Sequence, residues 1–219
     1  EAFKGRGVSE WNVSKVTNTE SMFERCKAFD ADLSKWVTSK VTTMREMFHW
    51  CEAFKGRGVS EWNVSKVTNM DWMFSGCESF DANLSKWDTS KATDMFWMFY
   101  DCTAFKGTGL SEWDVSKVTE MRSMFQGCAA FDANLSKWDT SKVTLKSFMF
   151  YRCTSFKGDG LSKWDVSKVT DLAWMFYDCA AFDADLSEWD TSKVTNTQEM
   201  FQGCAALPTL PAWYDSSHD

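Results

Sequence analysis

Eight cysteines recur through this 219-residue chain, at Cys26, Cys51, Cys77, Cys102, Cys128, Cys153, Cys179 and Cys204. Thiols at a fixed period could bind a soft metal, pair as disulfides, or sit inert. No C-x-x-C pair is present, so a zinc ribbon is excluded. Stacked repeats could bring neighbouring cysteines to the Cα separation of about 4.4–6.8 Å that a disulfide needs. Equally, each could be a free thiol packed as a small hydrophobe. The sequence leaves both open, and pairing would imply an oxidising compartment. His49 and His218 are the two histidines and neither repeats, so no Ser-His-Asp or Cys-His set can be assembled. This points to a non-enzymatic protein with no catalytic residues, no metal site and no cofactor. Asp30 with Asp32, or Asp183 with Asp185, could hold Ca²⁺ weakly, but Asn83 and Asn134 stand at the equivalent place elsewhere and favour turn capping. Pairs such as Gly5 and Gly7 lack the long helix and Lys-Ser/Thr of a phosphate loop, and read as turns that need positive φ.

The elements that must position these residues follow one strict period. A Trp stands fifteen residues before every Cys, from Trp11 to Trp189, at spacings that alternate 25 and 26. That is the mark of a solenoid, in which each unit buries its apolar face only against its neighbours. Within a unit, L-x-x-W-x-T/V (Leu84, Trp87, Thr89) fits the inward positions of a short strand. Thr17, Thr42, Thr68 and their equivalents fit an N-cap, with a capping-box acid at Glu20 and Asp71. Val67, Met70, Met73, Phe74 and Cys77 then fit one face of a helix of about two turns, stopped at Gly76, Gly127 and Gly203. The expected fold is an α/β repeat solenoid, leucine-rich-repeat-like, with one short parallel strand and one short helix in each of eight coils. Residues 1–206 form that solenoid, and 207–219, with Pro208 and Pro211, form a C-terminal cap and polar tail. The mid-unit opening at Glu1 suggests a fragment of a longer chain.

A net charge of −7 and a pI near 5.0 argue against nucleic acid as partner. No apolar run reaches eighteen residues, so no transmembrane segment is expected.

The repeated unit resembles that of the BspA-like leucine-rich-repeat surface proteins, L-S-x-W-D-V-S-x-V-T-x-M-x-x-M-F-x-x-(A/C)-x-x-F, over Phe3 through Ala206. The resemblance implies a surface-exposed or secreted adhesion or interaction protein, with no catalytic residues in the motif. Val37, Thr19, Thr197 and the Leu145-Lys146 pair depart from it.

In a repeat protein the consensus holds the coil and function sits where single repeats leave it. Just before the Met-Phe pair the units read Ser21, Glu46, Trp72, Trp97, Ser123, Phe148, Trp174 and Glu199, and just after the Phe they read Glu24, His49, Ser75, Tyr100, Gln126, Tyr151, Tyr177 and Gln202. Trp72, Trp97, Tyr100, Phe148, Tyr151, Trp174 and Tyr177 therefore line an outward ridge, interrupted at Ser123. Such a ridge is either a binding surface or outer packing. A column of Glu10, Lys35, Glu61, Lys86, Glu112, Lys137, Lys163 and Glu188 reads as register and solubility. The function expected is a surface or extracellular protein-binding scaffold. The alternative is a structural subunit packed permanently in a larger assembly, possibly by peripheral contact with a membrane complex.

Overall fold

The structure, a computed structural model, describes residues 2–216. The chain winds into coils that each end on one of the cysteines, and the expected solenoid stands. Its coils are built differently from the sequence expectation.

The stretch expected to be helical is a run of turns. In coil three, the amides of Met73, Ser75 and Cys77 bond back three residues, to Met70, Trp72 and Phe74. The alternate amides of Trp72, Phe74 and Gly76 donate instead to Phe96, Met98 and Tyr100 of the next coil, at 2.9, 2.9 and 2.7 Å. An α-helix capped at Thr68 would leave its first four amides free and use those of Trp72, Phe74 and Gly76 internally, so none of these three could bind the neighbouring coil. The apolar spacing of Met70, Met73, Phe74 and Cys77 is satisfied all the same, since all four are buried. These turns need left-handed backbone at two places per coil, and the residue before the Met-Phe pair occupies one of them throughout, from Ser21 (φ 52) through Trp72 (φ 58) to Glu199 (φ 49).

The strand is also displaced. Leu84, Trp87 and Thr89 face inward as expected, but Trp87 N–H turns back to Leu84 O. The parallel register instead lies further on, as isolated bridges Asn18 to Thr43, Thr43 to Asn69 and Asn69 to Asp94, and again from Glu120 through Leu145 and Asp171 to Asn196. The threonines expected as N-caps tie coils together there: Thr42 N–H and Oγ1–H both donate to Thr17 O, at 2.8 and 3.1 Å. The expected capping-box acids likewise reach across, Glu20 to Arg45 and Asp71 to the Phe96 amide.

Short 3-10 turns at Val8–Glu10, Val59–Glu61, Leu110–Glu112 and Leu161–Lys163 absorb the extra residue of each 26-residue coil. In the other coils Asp32, Asn83, Asn134 and Asp185 accept the amide two residues on, at 2.9 Å each, which is turn capping as expected.

Aromatic columns fill the core. Phe48, Phe74 and Phe99 stack at 5.7 and 5.6 Å, and Trp36 with Trp62 and Trp87 with Trp113 lie nearly parallel at 5.9 Å. Each buried indole N–H finds a carbonyl of the preceding coil, such as Trp87 to Val59 O at 2.9 Å, which meets the polar demand of a ring in an apolar column. Trp213 continues this column beyond the eighth cysteine, stacking on Trp189 at 6.3 Å and donating to Leu186 O at 2.9 Å.

All eight thiols are free. Seven point their S–H at a phenylalanine carbonyl of the preceding coil, at 2.9 to 3.1 Å, from Cys51 on Phe23 to Cys204 on Phe176. Burial pushes the Cys51 thiol up to about 12 and drives Cys77, Cys102, Cys153 and Cys179 well above their ordinary value. Thiolate, the reactive form, is therefore suppressed along the ladder. In native buffer iodoacetamide should leave Cys51 through Cys179 unmodified, and denaturation in the same reagent should add eight adducts, counted by intact mass. Fewer than eight adducts without prior reduction would mean that coils are disulfide-linked.

Candidate surface on the outer ridge

The left-handed turn positions throw their side chains outward, and in coils three, four, six and seven those side chains are rings. The structure gathers them into two clusters. In the first, Trp72 lies 4.2 Å from Trp97, and Trp97 stacks on Tyr100 at 4.5 Å. In the second, Phe148 stacks on Trp174 at 4.8 Å and Tyr151 on Tyr177 at 4.9 Å, with Phe148 and Tyr151 5.8 Å apart. Ser123, which is buried, separates them. All seven rings are half-buried, lying over one another along the stack.

Three further rings that the sequence reading did not assign to the ridge join the first cluster. Phe96 sits 5.5 Å from Trp97 and edge-on to Trp72, and His49 meets Trp72 at 5.2 Å and Trp50 at 5.9 Å. Phe96 and Trp50 are each the one ring in an otherwise non-aromatic column (Glu20, Arg45, Asp71 and on; Arg25, Gly76, Asp101 and on). That singularity was the available signal.

Cations border both clusters. The Arg122 guanidinium lies 5.2 Å over Phe96, and that of Arg152 5.1 Å over Tyr151. Carboxylates are drawn into the same surface. Burial pushes Asp71 up to about 6, against the opposing hydrogen bond from the Phe96 amide at 2.8 Å. Burial also raises Asp101, against a bond from Tyr100. The Glu/Lys column pairs as Glu10 with Lys35, Glu61 with Lys86 and Glu112 with Lys137, at 2.7, 2.8 and 2.7 Å, all well exposed, so these pairs set register more than stability. The sequence offered no metal-ligand set, but stacking brings Glu24, Glu46 and His49 together at the N-terminal end of the ridge.

The model of a protein family described as "Mycoplasma protein of unknown function, DUF285" matches residues 1–110 and 93–213. The chain belongs to this family. Its repeats are of the BspA-like leucine-rich kind. Among solved structures, a leucine-rich repeat protein from Eubacterium ventriosum is similar at a TM-score of 0.52 and 18% identity, over 81% of this chain and 44% of that one. A leucine-rich repeat protein from Bacteroides ovatus is similar at 0.31 and 18%, over 86% and 62%. The DUF285 chain thus spans less than half the length of the first and less than two thirds of the second. At this identity the likeness concerns the fold. No curated protein matches significantly. Among the described residues no helix is long and apolar enough to cross a membrane.

Proposed function

We propose that this DUF285 solenoid is a non-enzymatic scaffold that binds a protein partner at the cell surface or outside the cell, through the two ring clusters of its ridge. The observation that carries this reading is the pair of half-buried ring clusters, Trp72 with Trp97 and Tyr100, and Phe148 and Tyr151 with Trp174 and Tyr177. Trp72, Trp97, Phe148 and Trp174 sit at φ 54 to 58, where an L side chain costs about 1 kcal/mol or more and glycine or asparagine far less. The turn sets this backbone in every coil, on Ser21, Glu46, Ser123 and Glu199 as well, so it is the choice of a large, half-buried ring at four of the eight positions that supports a use outside the fold. Trp and Tyr are also the residues that anchor interfaces most strongly.

The test is a variant with Trp97→Ser, Tyr100→Ser, Trp174→Ser and Tyr177→Ser, compared with the parent chain against a panel of immobilised extracellular-matrix and cell-surface proteins. Binding by the parent should fall at least tenfold in the variant, with the far-ultraviolet spectrum unchanged. Unchanged association would remove the ridge from the proposal. A partner that co-purifies in fixed stoichiometry and does not exchange would favour the structural-subunit alternative. Protease treatment of intact expressing cells should release peptides of this chain, and their absence would contradict the surface location.

A further inference from the structure

Coils one and two break the aromatic pattern of the ridge. In the same two columns that carry rings elsewhere, this end carries Glu24, Glu46 and His49. One donor atom from each lies within 4.8 Å of the other two, and His49 Nδ1 stands 3.7 Å from Glu24 Oε1. His49 is only 9% exposed, and both its ring nitrogens are buried without a hydrogen-bond partner among the described residues. An imidazole left so is unusual, because buried polar atoms are nearly always satisfied. The ring is also held in place, edge-on to Trp72 and beside Trp50.

The surroundings suit a cation. The neutral imidazole is the form that ligates a metal. Ser21 Oγ–H donates to Glu46 Oε2 at 3.1 Å, and Arg45 pairs with the other oxygen, so that carboxylate is oriented from behind. Glu24 pairs with Arg25, whose side chain is 74% exposed and easily exchanged.

We propose that Glu24, Glu46 and His49 form a binding site for a divalent transition-metal ion of the zinc class. One imidazole nitrogen with two carboxylate oxygens suits such an ion better than Ca²⁺ or Mg²⁺, which take oxygen alone. Three protein ligands leave a coordination position for water or for a group from a partner. Binding would bring the three donors to about 2.0–2.2 Å from the ion, and the half-exposed Glu24 has the most room to move.

The experiment is calorimetric titration of the reduced, untagged chain with zinc chloride, repeated with His49→Gln, Glu24→Gln and His218→Gln. Co²⁺ serves as spectroscopic probe, and melting curves follow each fold. One equivalent of Zn²⁺ should bind, tenfold or more weaker in His49→Gln and in Glu24→Gln, and unchanged in His218→Gln. Co²⁺ should give d–d bands without thiolate charge transfer. No saturable binding, parent affinity in Glu24→Gln or in a folded His49→Gln, loss with His218→Gln, or thiolate bands would each overturn the assignment. If His49→Gln does not fold, Glu24→Gln decides alone.

Discussion

Lys146→Met should stabilise the solenoid by about 4–5 kcal/mol at pH 6 to 7, with the gain fading as the pH approaches 10.5. Lys146 occupies a core column that otherwise reads Thr19, Met44, Met70, Met95, Met121, Leu172 and Thr197. Its side chain is entirely buried and, among the described residues, its Nζ has no hydrogen-bond partner and lies over the face of Trp164 at 5.7 Å. Burial pulls the ammonium down from 10.5 to about 7, slightly opposed by Asp165. Each unit of difference between folded and unfolded pKa is worth about 1.4 kcal/mol. The sign follows from proton binding. Between pH 7 and 10.5 the unfolded chain holds this proton and the folded chain does not, so native stability rises with pH across that window. Below pH 7 both states are charged and the burial penalty is complete. Methionine has nearly the same shape and no charge, so the variant loses only the titration. Thermal melts of both chains at pH 6, 8 and 10 measure it, other groups cancelling in the difference. At roughly 2–4 °C per kcal/mol for a chain of this size, the midpoint should rise on the order of 10 °C at pH 6. A gain that does not vary with pH would show that the amine reaches water.

The same column shows what the sequence could and could not tell. The inward residues were legible, because Met70, Met73, Phe74, Leu84 and Trp87 recur at spacings only a repeated core explains, and all are buried. The backbone that carries them was not. Steps of three and four suit a helix and a run of three-residue turns alike. The choice between them lies in whether alternate amides, such as those of Trp72 and Phe74, bond within the coil or to the next. That competition is settled 24 or more residues away, beyond the reach of local propensity. The parallel register moved for a related reason: Thr42 and Thr43 can bond across coils through side chain and backbone together, whereas Leu84 to Trp87 closes on itself. Ridge positions could be named from column variability, but the approach of Glu24, Glu46 and His49 could not. Glu24 and His49 share one column and Glu46 lies in the other, and the sequence does not show how closely the stacked coils bring the two columns together. For the thiols, spacing allowed pairing or burial, and the phenylalanine carbonyl that accepts each S–H has no sequence signature.

The second large effect concerns how closely coils approach. Gly109→Ala should destabilise the chain by about 4 kcal/mol or more, while Gly7→Ala, at the same place in the repeat, should cost about 1–2 kcal/mol. Both glycines precede a 3-10 turn in left-handed backbone, with φ 92 and φ 80. The conformational penalty of a Cβ is therefore common to the two. What differs is the neighbour. A Cβ on Gly109 would lie 2.2 Å from the backbone nitrogen of Ser85 and 2.8 Å from Asn83 Oδ1, whereas a Cβ on Gly7 meets nothing within 4 Å. Relief at position 109 cannot come from a side-chain rotation, because the obstructing atom is main chain and the Ser85 amide is itself held by Asn83 Oδ1 at 2.9 Å. The fifth coil must then move off the fourth, loosening the bond from Leu84 N–H to Thr108 O and the stack of Trp113 on Trp87. In a solenoid each coil is held only by its neighbours, so a mid-chain breach weakens both halves. Urea midpoints of the two variants separate the terms: the Gly7→Ala loss measures the left-handed turn, and the excess in Gly109→Ala measures contact between coils. Equal losses would show that the coils can part far enough to clear a Cβ at little cost. Gly58 and Gly160, whose Cβ would meet Ser34 N at 2.1 Å and Ser136 N at 2.4 Å, should behave like Gly109, because the approach is a property of the 26-residue coil and not of one position.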